Sequence, residues 1–83
     1  MRIEISEFDP DKIGAFPKNI EKLIWRALFY KSQIKVLEQE FTKRGDHHTF
    51  EKLEEYRKAF QNTYKIINKQ CKRKGLETIT IVD

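Results

Sequence analysis

Between Ile20 and Phe41, apolar side chains return at spacings of 3, 4, 3, 4, 3 and 4 residues, through Leu23, Ala27, Tyr30, Ile34 and Leu37. That rhythm keeps one stripe of an α-helix turned toward a partner helix. A second run repeats it through Phe50, Leu53, Arg57 with its neighbour Tyr56, Phe60, Tyr64, Ile67 and Cys71. Only the segment TKRGDHH and Thr49 lie between the two runs. Gly45 suits a helix end and Asp46 or Thr49 can cap the next start. So short a connection forces the helices to lie antiparallel. Facing positions in a hairpin turning near residue 45 have numbers that add to a constant. Phe41 with Phe50, Leu37 with Leu53, Ile34 with Arg57, Tyr30 with Phe60, Ala27 with Tyr64, Leu23 with Ile67 and Ile20 with Cys71 all add to 90 or 91. The sequence therefore predicts a mainly α chain: an antiparallel αα-hairpin with helices over about 18–44 and 49–74 and a loop over 45–48.

The flanks change period. Met1, Ile3 and Ile5 alternate with Arg2, Glu4 and Ser6, which predicts a short strand over 1–7. Asp9-Pro10-Asp11, Gly14 and Pro17 read as a turn over 8–17. The tail LETITIVD, rich in β-branched residues, predicts a second strand over 76–82, with Ile79 and Ile81 on one face and Thr78, Thr80 and Val82 on the other. The first strand enters the hairpin at the end where the last one leaves it, so the two are expected antiparallel, in a β-α-α-β unit. A lone two-stranded ribbon is marginal in water, so it must pack on the hairpin or join the ribbon of a second chain.

At 83 residues the chain is one domain, 1–83, and a chain of this size buries only about 60–65 % of its unfolded surface. With 36 % charged and 39 % hydrophobic residues, an isolated copy has a thin core, which oligomerisation would supplement. A single cysteine, Cys71, excludes an internal disulfide and a multi-cysteine zinc site, and fits a reducing, intracellular, cytoplasmic setting. No segment has the apolar length of a signal peptide or of a membrane span, so no membrane partner is expected.

The segment LIWRALFYK, residues 23–31, carries more apolar surface than one stripe uses. Trp25, Phe29 and Val36, with Ser32 among them, form a second row at spacings of 4, 3 and 4, and Ile24 and Leu28 fill its flank. The second helix offers only Ala59 and Ile66 off its seam. These five residues of the first helix, Ile24, Trp25, Leu28, Phe29 and Val36, are the candidate partner interface. The reading favoured is a homodimer in which two hairpins form a four-helix arrangement. Two others stand beside it: the chain's own strands fold over Trp25 and Phe29, or a different protein docks there.

Catalytic and metal-binding patterns are absent. His47 and His48 diverge by about 100° on a helix and lie too far from Cys71 for a shared metal. Cys71 sits on the seam as a buried thiol. The carboxylates Glu51 and Glu54 alternate with Lys52 and Lys58 as a solvated face. Asp9 and Asp11 lack the spacing of a calcium loop, and Gly14, Gly45 and Gly75 are too scattered for a phosphate loop. A non-enzymatic protein without cofactor, metal or small-molecule substrate is expected.

Charge is the remaining signal. The net charge is +4, yet residues 1–40 hold seven basic and seven acidic side chains while residues 61–75 hold five basic and none acidic. Lys65, Lys69, Lys72, Arg73 and Lys74 close the second helix, and the hairpin returns them to the level of Lys18, Lys22 and Arg26. Complementing the helix dipole accounts for one or two of these cations. Gln61, Asn62, Asn68 and Gln70 add hydrogen-bonding groups. An acidic protein or a nucleic acid fits such a pole. The functional reading is a small intracellular binding or regulatory protein acting through protein–protein contacts. The alternative is a nucleic-acid-binding module using the basic pole.

Overall fold

The structure, a computed structural model, describes residues 3–82. The chain runs β1 (Ile3–Ile5), α1 (Pro10–Gly14), α2 (Lys18–Arg44), α3 (His47–Arg73) and β2 (Ile79–Ile81). Two long helices packed side by side make an elongated molecule of 44 × 22 × 21 Å.

The hairpin and its register follow the seams. The Phe41 and Phe50 rings lie 5.7 Å apart at the closed end, and Asn19 donates to Gln70 at the open end; in the middle the Tyr30 ring meets Tyr56 at 5.9 Å, one turn before the Phe60 expected to face it. The turn is tighter than the expected loop over 45–48. Gly45 takes the left-handed conformation, φ 62°, and its N–H donates to the Phe41 carbonyl at 2.7 Å. Asp46 follows at once as N-cap, accepting from the Thr49 N–H at 2.7 Å. The second helix thus starts at His47, because Asp46 caps and Thr49 lies inside and buried. It ends at Arg73 with a Schellman arrangement: the Gly75 N–H donates to Lys72 and the Leu76 N–H to Cys71, with Gly75 at φ 72°. Arg57 holds a seam position but stays exposed, reaching Glu38 and Glu54 at 3.1 Å each.

Three expectations about the flanks are corrected. Residues 8–17 are not simply a turn, since Pro10 at the first helical position begins α1, whose Ile13 is fully buried. The strands are shorter than 1–7 and 76–82. Within 1–7, Met1 and Arg2 lie outside the described residues, and Ser6 already belongs to a turn closed by Asp9, whose carboxylate accepts from the Ser6 N–H and hydroxyl at 3.0 Å each. Finally, β1 and β2 pair in parallel, Ile3 against Ile79 and Ile5 against Ile81. The cause is α1. It carries the chain back to the base of the hairpin, so β1 must already have run away from that base, in the direction that β2 takes after α3.

The sheet packs on one side of the hairpin. Ile5 and Ile79 close over Ile24, Leu28, Ile67 and Cys71, with Ile13 and Ile20 completing the core. The outer edge of β2 is held by α3: the Ile79 N–H donates to Asn68 Oδ1 at 2.9 Å, and the Ile79 carbonyl accepts from Tyr64 Oη at 2.9 Å and Asn68 Nδ2 at 3.4 Å. The outer edge of β1 is met by Lys12, whose Nζ donates to the Glu4 carbonyl at 3.4 Å. Side-chain groups thus occupy both edges of a short sheet that would otherwise invite pairing. No buried side-chain nitrogen or oxygen among the described residues lacks a partner.

Candidate functional site

The sheet divides the five candidate interface residues. Ile24 and Leu28 belong to the chain's own core, 0 % and 7 % exposed, whereas Trp25, Phe29 and Val36 remain 41 %, 55 % and 48 % exposed. The reason lies in helical geometry. At about 100° per residue, Ile24 and Leu28 point to the sheet side of α2, and Trp25, Phe29 and Val36 point beyond it, away from both α3 and the sheet. The strands therefore cover the flank and leave the row bare. Phe8, 79 % exposed, was not singled out from the sequence, because an isolated aromatic in a turn carries no pattern. Its neighbour Glu7 lines a small cavity with Leu28, Lys31, Ser32, Lys35 and Val82, which sets the turn over the sheet flank of α2.

The eight basic candidates, Lys18, Lys22, Arg26, Lys65, Lys69, Lys72, Arg73 and Lys74, are all exposed and all lie toward the open end of the hairpin. They do not form one surface. Lys18 and Lys22 project from the side of α2 opposite its seam, and Lys65, Lys69 and Lys72 from the side of α3 opposite its seam. The two groups project from opposite flanks of the hairpin. Lys74 bridges them at the base, donating to Asn19 Oδ1 at 3.4 Å. On α3 itself, Lys58, Asn62, Lys65, Lys69 and Lys72 follow one another at spacings of 4, 3, 4 and 3, a straight cationic ridge with no acid after Glu55. Two polar candidates are already engaged: Asn68 holds β2, and Gln70 accepts from Asn19.

The groups with potential chemistry sit in unremarkable settings. Cys71 is fully buried, and burial pushes its thiol up, against nucleophilic use. His47 pairs with Glu51 at 3.0 Å on an open surface. The Asp46 carboxyl is held below its ordinary value by the Thr49 N–H, and that of Asp9 by the Ser6 N–H, as expected of turn and cap acceptors. Among the described residues no three His, Cys, Asp or Glu side chains are grouped to hold a metal ion, and no helix is long and apolar enough to cross a membrane. The arrangement offers two surfaces rather than a reaction centre: an apolar row on α2 and a cationic ridge on α3. No protein-family model matches the chain, and neither a curated protein nor a solved structure matches it.

Proposed function

We propose that this chain is a small, non-enzymatic binding or regulatory protein that works through protein–protein contacts, using the outer side of α2, and that it acts as a homodimer in a four-helix arrangement. The supporting observation is the exposure of Trp25, Phe29 and Val36 in a fold that has already used its strands to cover Ile24 and Leu28. A row of this kind on a helix with another apolar stripe already buried has no role in the single-chain core, and such patches mark interaction sites. The lone cysteine, kept as a buried thiol, fits a reducing cytoplasmic setting. The test is capture of partners by the wild-type chain and by a Trp25→Gln/Phe29→Gln variant. Loss of self-association or of a captured protein, with helicity intact, supports the reading. Unchanged capture by the variant refutes it.

A nucleic-acid-binding module is the second reading. What favours it is the uninterrupted ridge from Lys58 to Lys72, where phosphate contacts would give affinity with little base specificity. An acidic protein would meet the same cations. Nuclease treatment in parallel with the capture separates the two, since only a nucleic-acid ligand, or a partner bridged by one, is lost after digestion.

A further inference from the structure

The outer stripe of α2 continues past its apolar middle at the same 3 and 4 spacing, as Lys22, Trp25, Phe29, Ser32, Val36 and Gln39, and every one of these is exposed. Its two ends differ in charge. Lys18, Lys22 and Arg26 outnumber Glu21 at the N-terminal end, whereas at the other Glu38 and Glu40 offset Lys43 and Arg44. Lys22 and Glu40 are 18 residues apart, which is about five turns and about 27 Å, so they leave the helix in the same direction. A second copy laid parallel along this stripe would set the three cations of one chain against the same three of the other. Laid antiparallel, it reverses that relation.

From this we infer that two copies pair through α2 in antiparallel register, about a two-fold axis level with residues 30 and 31. In that register Trp25 faces the partner's Val36 and Phe29 faces the partner's Ser32, a large side chain against a small one each time, as interdigitating helices require. Lys22 meets the partner's Glu40 one residue from ideal register and on the same side of the seam. Symmetry repeats each contact. Like charges approach only at the ends, where Lys18 nears the partner's Lys43 in open solvent.

The area fits a weak dimer. Applying the exposed fractions of Trp25, Phe29 and Val36 to side chains of about 150–250 Å² gives roughly 300 Å² of apolar surface per chain. Two copies supply about 600 Å², and at about 60 % non-polar area the whole interface comes to roughly 1,000 Å², the lower limit for a specific complex.

This inference rests on the proposed use of the outer side of α2, and the test separates the two. Trp25 is the only tryptophan, so its emission, read against concentration and paired with sedimentation equilibrium, reports burial at the seam directly. Lys22→Glu and Glu40→Lys should each weaken dimerisation about tenfold by placing like charges face to face twice. The double swap should restore it to within about threefold. Circular dichroism establishes that each variant is folded. A dimer indifferent to the single swaps, or not rescued by the double swap, overturns the antiparallel register and leaves the homodimer standing. A wild-type chain that stays monomeric with concentration-independent Trp25 emission overturns self-pairing altogether. Capture of a foreign protein that the Trp25→Gln/Phe29→Gln variant loses would then retain the binding surface alone.

Discussion

Asn68→Ala is the substitution that most directly tests how the sheet is held. Asn68 makes two bonds to one residue, accepting from the Ile79 N–H at 2.9 Å and donating to the Ile79 carbonyl at 3.4 Å. Ile79 is fully buried. Truncation leaves its N–H with no acceptor in the fold, while the carbonyl keeps Tyr64 Oη at 2.9 Å. An orphaned buried donor costs about 1–3 kcal/mol. A net destabilisation of about 2 kcal/mol is expected, since the longer bond to the carbonyl is weak and its loss is partly covered by Tyr64. For a domain of this size that lowers the thermal midpoint by about 8–16 °C.

The cost should be local as well as global, and Cys71 reads it. The thiol shares the core with Ile79, is fully buried, and is the only one in the chain. If the sheet lifts more often, reaction of Cys71 with a disulfide reagent in native buffer should accelerate, by about 30-fold for 2 kcal/mol when opening is fast and reversible. Asn68→Asp provides a control. Its carboxylate retains the acceptor for Ile79 N–H but opposes the Ile79 carbonyl, so the variant should recover stability as the new carboxyl is protonated, opposite to the trend for Asp9 and Asp46. An Asn68→Ala protein with wild-type midpoint and wild-type thiol kinetics would refute the account of β2 docking.

Other outcomes follow from the same geometry. Cysteines at 41 and 50 in a Cys71→Ser background should cross-link within one chain, because the native rings stand 5.7 Å apart; failure to close would refute the register. The Trp25→Gln/Phe29→Gln variant should keep a dilute-solution midpoint within about 4–8 °C of wild type, as partly exposed sites cost little, while losing its partner; loss of the fold would place both side chains in the core. Asp9 and Asp46 have lowered carboxyl values through the Ser6 and Thr49 N–H groups, so their stabilisation is complete above the ordinary carboxylate value and disappears as pH falls below about 4. Asp46→Asn retains an N-cap acceptor and should flatten that acid limb, measured as midpoint against pH. If a nucleic acid is the ligand, four lysine contacts give a log–log salt slope of about −3.6, and Lys69→Gln/Lys72→Gln should reduce it by roughly 2; equal effects from Lys43→Gln and Lys52→Gln at the other end of the hairpin would deny the ridge any role.

The hairpin was legible because helix pairing leaves a periodic trace. Two seams of equal length around a glycine and a capping aspartate admit one register, and Phe41 against Phe50 realises it. The segment from Pro10 to Gly14 left no such trace: one turn of helix buries one side chain, Ile13, and one residue has no period. What identified it was local chemistry, a proline at the first helical position after an aspartate, which reads equally well as a turn. The parallel pairing depends on that missed reversal, because strand direction is set by how many times the chain turns back before the hairpin. Asn68 was misread for a related reason. A polar residue beside the seam is assigned to solvent until a strand edge that needs its amide is known to lie above it.

The division of the apolar surface of α2 follows from widths. Packed helices sit about 8–10 Å apart, and two paired strands are spaced about 4.8 Å apart, so a two-stranded sheet is about as wide as the groove it fills and no wider. Held at α3 through Tyr64 and Asn68, it reaches Ile24 and Leu28 on the near flank of α2 and stops. Covering Phe29 would take a third strand beyond β1, and the edge where it would pair is met instead by Lys12 from α1. Beyond the sheet's reach Trp25 stays 41 % exposed and Phe29 55 %. Sequence periodicity can count apolar residues in excess of one seam, but which of them a sheet takes and which stay in water depends on strand number and direction. Here that choice retires two of the five candidates to the core and leaves Trp25, Phe29 and Val36 exposed on one line along α2.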